Sequence, residues 1–282
     1  MIVTRFAPSP TGYLHLGHAY SALLAHDLAH GANGRFILRI EDIDATRCRP
    51  EFEAAILEDL AWLGLSWQSD VRRQSDHMAD YGHALALLDE RGLLYPCFCT
   101  RKEIMAEIAR AGGAPHGPEG HLYPGLCRAL PADERQARML TGEAFALRLD
   151  MSAALEQVGL LRWRERTQDN RQGSHTTATP SLFGDVVLAR KETPTSYHLS
   201  VTLDDHLQGV TRVVRGEDLR PATHVQRLLQ ALLGLDTPEY LHHPLMTDRK
   251  GRRYAKRDKS LSLRALRQAG VTPEEIRQRV GL

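Results

Sequence analysis

Arg5-Phe6-Ala7-Pro8-Ser9-Pro10-Thr11-Gly12-Tyr13-Leu14-His15-Leu16-Gly17-His18 joins a short apolar segment to an alanine-rich one. Ile2, Val3 and Phe6 read as a buried strand that Pro8 ends, and the Pro/Ser/Thr/Gly turn leads into Leu16-Gly17-His18-Ala19, the start of a helix. A helix N-terminus carries unpaired N–H groups and the positive end of the helix dipole, so a strand–turn–helix junction of this kind suits a phosphate. His15 and His18 are three residues apart and share a face, where both imidazoles can donate to phosphate oxygens. Gly17 between them leaves room for a nucleotide against the backbone. A bare His-x-Gly-His is equally compatible with ordinary helix-start histidines. The run Arg5–Gly12 in front of it makes the junction a candidate nucleotide site.

Working outward, strand and helix patterns alternate over the first ninety or so residues. Arg35–Ile40 is a strand ending in Glu41-Asp42; Phe52–Leu63 is a helix with Phe52, Ile56, Leu60 and Leu63 on one stripe; Met78–Leu88 is another helix. This order favours a parallel sheet with crossover helices, with an α+β mixture as the alternative. The pattern breaks at Leu93-Leu94-Tyr95-Pro96-Cys97-Phe98-Cys99. From there to about Thr195 it is irregular, with a Gly/Pro/His-rich loop at 112–125, a strand at Phe145–Leu149 and a polar stretch at 168–179. Strand–helix alternation returns with Tyr197–Leu203, Thr211–Gly216 and the helix Ala222–Leu233. A basic loop and short helices close the chain. The expected organisation is an α/β, Rossmann-like catalytic domain in two halves (1–93 and 195–246), an insertion (94–194) and a C-terminal segment (247–282).

The chain has 282 residues, 42% hydrophobic and 25% charged, with a formal net charge of +1. That length can bury a sizeable core, and that charge excludes binding to nucleic acid by bulk electrostatics. RNA contact would have to come from local patches at Arg72-Arg73, at the arginines of 162–171, or in 249–267. No signal peptide or run of roughly 18–20 apolar residues is present. A cytoplasmic protein without membrane contact is therefore expected, and four cysteines in a reducing compartment suggest metal or thiol chemistry rather than disulfides.

Cys97, Cys99 and Cys127 lie within the insertion, and Cys48 stands apart as a core or half-buried thiol. A tetrahedral zinc site needs four ligands, and His116, His121 or Tyr123 could complete the three thiols. His242-His243 and His175 have no further ligands nearby and read as structural. Lys256-Arg257-Asp258-Lys259-Ser260 lies in the basic 249–259 loop. A doubly cationic loop near a triphosphate can neutralise charge building on departing pyrophosphate.

Together these segments resemble class I aminoacyl-tRNA synthetases. Arg5–His18 is similar to the first nucleotide-binding signature in its glutamyl wording, and Lys256–Ser260 to the second, whose family form is Lys-Met-Ser-Lys-Ser. Arg257 and Asp258 replace the middle pair. The resemblance covers essentially the whole chain and, with Cys97/Cys99/Tyr123/Cys127 and Ala255–Lys259, is most similar to the glutamyl-queuosine tRNA(Asp) synthetases. It implies ATP binding by Pro8, Gly17, His18, Lys256, Lys259 and Ser260, with His15, His18 and Lys259 catalytic. It implies a glutamate pocket of Arg5, Ala7, Ser9, Glu41, Tyr197 and Arg215, with arginines for carboxylates and Glu41 for the ammonium, and an adenine contact at His243-Pro244-Leu245. Tyr-x-x-x-Cys at Tyr123–Cys127 matches that family's zinc pattern, implying Tyr123 as fourth ligand of one structural zinc. The implied reaction is tRNA-independent activation of glutamate with ATP and magnesium, then transfer to queuosine in the anticodon loop of tRNA(Asp). No anticodon-binding domain and a monomer are expected. The alternative is a truncated glutamyl-tRNA synthetase charging the tRNA 3′ end.

Overall fold

The computed structural model describes residues 1–68, 70–110, 116–167, 173–246 and 262–282. The chain starts with β1 (Val3–Phe6), α1 (Leu16–His30) and β2 (Arg35–Ile40). β1 and β2 pair in parallel, with Val3 opposite Arg35 and Phe6 opposite Leu38, which requires the crossover that α1 provides. α1 buries Ala19, Ala22, Leu23, Ala25 and Ala29, small residues that let it lie close to the sheet. The turn back into β2 needs Gly34, because a Cβ there would stand 2.1 Å from the Ile2 carbonyl oxygen. α2 (Pro50–Trp62) follows, with proline in the first turn where no N–H is missed. β3 (Arg72–Arg73) extends the sheet beside β2, and α3 (Met78–Glu90) leads away from it.

The middle of the chain holds β4 (Leu94–Cys97), α4 (Arg101–Arg110), the hairpin of β5 (His116–Gly117) and β6 (Gly120–His121), α5 (Ala132–Leu140), β7 (Ala146–Leu149), α6 (Met151–Glu156), β8 (Arg162–Arg166), β9 (Gly173–Thr177) and β10 (Val187–Ala189). β10, β7 and β4 form an antiparallel sheet in that order. Its core of Leu94, Leu149 and Leu188 merges with Tyr81, Leu85 and Leu88 of α3. The polar stretch at 168–179 contains β9, although its pattern offered no strand. Ser174 and His175 are exposed, and pairing with β8 holds the strand in place of a buried face.

The last part comprises α7 (Tyr197–Leu207), β11 (Arg212–Gly216), α8 (Ala222–Leu233), β12 (Glu239–His243), α9 (Leu263–Gln268) and α10 (Pro273–Val280). The returning Tyr197–Leu203 segment is thus helical, capped by the Ser196 side chain. β11 pairs in parallel with β12, and β12 with β8, so the β8–β9 hairpin belongs to the sheet of the closing segment. β11 runs beside β1: the Thr211 amide donates to the Val3 carbonyl at 3.0 Å and the Val3 amide to the Thr211 hydroxyl at 2.9 Å. The parallel β1–β2–β3 sheet and the mixed β11–β12–β8–β9 sheet therefore meet at β1, with β2 on one side and β11 on the other. In an open α/β sheet the crevice beyond the strand ends at such a switch point is where ligands bind.

Candidate active site

A cavity of about 370 Å³ opens there, walled by the ends of β1 and β11 and the start of α1. It brings together Arg5, Ala7, Pro8, Ser9, His15, Gly17, His18, Glu41, Tyr197 and Arg215 from four separate stretches of sequence. Arg5 is the penultimate residue of β1, Glu41 follows β2, and Arg215 is the penultimate residue of β11. Lys256, Lys259 and Ser260, with the rest of the 249–259 loop, lie outside the described residues, as do 112–115 and 168–172 of the two loop expectations. Both flanks of the 247–261 segment reach the site. Met246 lines the cavity, and the Leu263 amide donates to the Leu14 carbonyl at 2.8 Å, with Ser262 bridged to His15.

His15 is the N-cap of α1. Its Nδ1 accepts the Gly17 amide at 3.1 Å, and His18 Nδ1 accepts the His15 amide at 3.2 Å, a reciprocal capping box built from two imidazoles. Because both Nδ1 atoms accept, the proton of each neutral ring sits on Nε2, the tautomer that can donate to an anion. The rings lie 3.8 Å apart. The space at Gly17 serves His15 first: a Cβ there would lie 3.0 Å from His15 Cε1. Glycine lets the ring fold back over the helix start.

The two cavity arginines differ in what surrounds them. Arg5 Nε bonds Asp205 Oδ1 at 3.1 Å, and the fully buried Arg39 reaches the same oxygen at 2.8 Å and Glu41 Oε1 at 3.3 Å. Burial pushes the Asp205 carboxyl upward, but Arg5 and Arg39 hold it below its ordinary value. Glu41 is raised by burial, against the pull of Arg39 and Arg5. Arg215 is 5% exposed, yet every partner it has among the described residues is neutral. Nε donates to His242 Nε2 at 3.2 Å, Nη1 to the Tyr197 hydroxyl at 3.2 Å, and Nη2 to Thr223 Oγ1 at 2.8 Å and Gln226 Oε1 at 2.9 Å. Among the described residues no carboxylate lies within 4 Å of this guanidinium. A buried cation without a counter-ion is costly, and this one faces a cavity.

Sequence reasoning did not find Asp205, Thr223, Gln226 or Asp218, the last also lining the cavity. Asp205 reads as an ordinary helix residue because its partner Arg5 lies 200 positions away, whereas Thr223 and Gln226 stand only 8 and 11 positions from Arg215 but carry no local pattern that ties them to it. His243 does face the cavity: its Nδ1 donates to the Pro244 carbonyl at 2.9 Å, leaving Nε2 to accept the Ser21 hydroxyl at 2.6 Å. His242, on the opposite side of β12, holds Arg215. Two of the expected RNA-binding patches are largely committed to protein carboxylates. Arg72 pairs with Asp204 and Asp80, Arg73 with Glu53, and Arg164 and Arg166 with Glu239.

The thiols of Cys97, Cys99 and Cys127 lie within 4.8 Å of one another. The Tyr123 hydroxyl is 3.5 Å from Cys97 Sγ and 3.5 Å from Cys99 Sγ, while Cys99 Sγ is 3.4 Å from Cys127 Sγ. Tetrahedral zinc at a Zn–S distance of about 2.3 Å sets ligand atoms roughly 3.5–3.8 Å apart, so the four donors fit. His116 and His121 instead face each other across the β5–β6 hairpin, rings 4.0 Å apart, outside the thiol cluster. Burial raises the Cys99 thiol to about 11; metal binding requires thiolates and so would release protons. Cys48 is half-buried and apart. Among the described residues no helix is long and apolar enough to cross a membrane.

The whole chain, residues 1–282, matches the family model for tRNA synthetases class I (E and Q), catalytic domain. It is 50% identical over 288 aligned positions, covering 100% of both chains, to a glutamyl-Q tRNA(Asp) synthetase of Rhodobacter capsulatus. To the protein of that name in Nitratidesulfovibrio vulgaris it is 42% identical, over 98% of this chain and 84% of the other. The crystal structure of a glutamate-tRNA synthetase from Elizabethkingia anophelis superposes with a TM-score of 0.76 at 28% identity, over 92% of this chain. This chain spans about half of that structure, 53% of its length.

Proposed function

This chain belongs to the class I tRNA synthetase family, among its glutamyl-Q tRNA(Asp) synthetases, and is a ligase; on that basis we propose that it activates glutamate as glutamyl-adenylate without tRNA and transfers the glutamyl group to queuosine in the anticodon loop of tRNA(Asp). The observation that carries the amino-acid half is Arg215, a buried cation that lines the cavity with only neutral partners among the described residues. A glutamate carboxylate supplies the charge it lacks. Arg5 is already bonded to Asp205, so it contributes to the field of the pocket more than as a lone counter-ion. Glu41, on the same wall, accepts the ammonium, and Ala7, Ser9 and Tyr197 shape the pocket around it.

In the activation step a glutamate α-carboxylate oxygen attacks the α-phosphorus of ATP in line. The P–O bond to the β-phosphate breaks, and pyrophosphate leaves with the electron pair. His15 and His18 present Nε2–H to the phosphates at the α1 N-terminus, beside Pro8 and Gly17. Lys256, Lys259 and Ser260 act on the departing pyrophosphate, and magnesium accompanies ATP as substrate. Catalysis of this kind is mainly positioning and charge stabilisation. In the second step a queuosine hydroxyl attacks the adenylate carbonyl carbon, the acyl–phosphate bond breaks, and AMP leaves. One zinc held by Cys97, Cys99, Tyr123 and Cys127 would staple a region with a small core of its own. The thiol–phenol geometry supports it.

The test is transfer of labelled glutamate to aspartate tRNA with and without queuosine, each with an intact 3′ end. Labelling only of the queuosine form is expected. Efficient charging of the form lacking queuosine would replace the proposal with 3′-end charging by a glutamyl-tRNA synthetase fragment.

A further inference from the structure

Arg215 can serve a carboxylate only if its guanidinium is held with an unused N–H toward the cavity. Its Nη2 has both hydrogens committed to α8 and its Nε hydrogen to His242, while one Nη1 hydrogen goes to Tyr197. The remaining Nη1 hydrogen has no partner among the described residues. Rotation about the long side chain is thus blocked by Thr223, Gln226 and His242, with His242 Nε2 3.4 Å from Thr223 Oγ1, and by Tyr197 at Nη1.

His242 can accept from Arg215 only in one tautomer, and its environment selects that one. Its Nδ1 donates to Glu165 Oε1 at 2.8 Å, the same oxygen accepts the His242 backbone amide at 3.2 Å, and Glu165 Oε2 accepts Trp163 Nε1 at 2.9 Å. Glu165 is therefore committed on both oxygens, and β8 places it where β12 passes, with Glu165 opposite Tyr240. The His242 side chain is 2% exposed and stacks on Tyr240 with a ring separation of 5.9 Å and a 6° interplanar angle. This leaves the ring one orientation. In the other tautomer a hydrogen on Nε2 would oppose the hydrogen on Arg215 Nε.

We propose that the Glu165–His242 pair is the positioning device for glutamate capture: it fixes the His242 tautomer so that Nε2 holds the Arg215 guanidinium in place and leaves its remaining Nη1 hydrogen for the cavity. His242 touches no substrate and acts through Arg215, so its effect belongs to binding shared by ground and transition states, which appears in KM and not in kcat. The proposal rests on the reading of Arg215 as the glutamate-carboxylate ligand, and its test separates the two.

Glutamate-dependent ATP–pyrophosphate exchange is measured for the full chain as wild type, Arg215→Ala, His242→Phe, His242→Gln and Glu165→Leu. Phenylalanine keeps the stack on Tyr240 and removes the acceptor, so the glutamate KM should rise about tenfold or more, the scale of one lost hydrogen bond to a charged group. The kcat and the KM for ATP should stay within about twofold. Glutamine restores an oxygen acceptor for Arg215 Nε and should bring the glutamate KM back most of the way. Glu165→Leu leaves His242 in place but frees its tautomer, giving a smaller rise with the same split and a second measurement should the phenylalanine variant not fold. If Arg215→Ala raises the glutamate KM while the folded His242→Phe and Glu165→Leu proteins keep the wild-type value, the positioning proposal is wrong and the site reading survives. If Arg215→Ala itself leaves that KM unchanged, both are overturned.

Discussion

His15 occupies two roles that one substitution can pull apart. Its Nδ1 closes the first turn of α1 by accepting the Gly17 amide at 3.1 Å, and its backbone amide is held in turn by His18. Replacing a capping side chain by alanine costs about 1 kcal/mol, in a range of roughly 0.5–2. For a domain somewhat larger than 150–250 residues each kcal/mol lowers Tm by about 2–4 °C or slightly less. His15→Ala should therefore melt a few degrees below wild type. Asparagine is among the best N-cap residues, and its side-chain oxygen can take the same amide, so His15→Asn should melt close to wild type. Neither variant retains an imidazole Nε2–H at position 15. Both should lose roughly 10²–10³-fold in glutamate-dependent ATP–pyrophosphate exchange, the usual cost of removing one preorganised donor. Thermal melts and exchange rates on the same preparations give the comparison. A wild-type exchange rate in His15→Asn would show that the imidazole does not act on the phosphates. An unshifted melt in His15→Ala would show that the cap contributes nothing.

Purified protein prepared without chelator should carry about one zinc, and Cys99→Ser should lose metal and thermal stability where Cys48→Ser loses neither; metal-free wild type would remove the zinc assignment. Lys259→Ala should slow exchange by about 10²-fold, and an unchanged rate would mean that the second signature has been misplaced. Asp59 is fully buried where α9 meets α2, with Arg267 Nη2 3.4 Å from Oδ1 and Oδ2 without a partner among the described residues, and burial raises its carboxyl to about 6 against the pull of Arg267. The unfolded value is about 3.9, so the folded state binds the extra proton and the stability it gives is full below about pH 4 and lost as pH rises through about 6, up to roughly 3 kcal/mol. Asp59→Asn should accordingly gain stability relative to wild type between about pH 5 and pH 7, and a difference in Tm that does not change with pH would refute this.

Local chemistry made much of the α/β core legible. The stripe Phe52, Ile56, Leu60, Leu63 foretold α2, and the six apolar-rich residues from Arg35 are β2 residue for residue. α7 shows where such reading stops. Leu199, Val201, Leu203, Ser200, Thr202, Asp204 and Asp205 are all buried, so the helix has almost no polar face and periodicity carries no signal. Its two aspartates can be buried only because Arg5, Arg39 and Arg72 meet them from β1, β2 and β3. Arg5 and Asp205 lie 200 positions apart, and nothing near either residue in the chain announces the other. β9 failed for the opposite reason: an exposed strand held by its neighbour's hydrogen bonds has no apolar pattern to read.

The site divides along the same line. His15, Gly17 and His18 could be named from their order because one strand–turn–helix junction brings them together, whereas Ala7, Pro8 and Ser9 are named through the resemblance. Arg215 could be named only through resemblance, since an arginine at a strand end is ordinarily a solvated charge. Its distinguishing property is that the fold buries it and then fails to neutralise it. Thr223, Gln226, Tyr197 and His242 come from three elements, and each gives it an acceptor without giving it a charge. An ion pair at that point would have satisfied the cation and closed the pocket to a carboxylate. Four neutral acceptors hold the same guanidinium rigidly and leave its charge available to the cavity. The histidine among them must stay neutral and in one tautomer for this to hold, which gives Glu165 a reason to sit behind it.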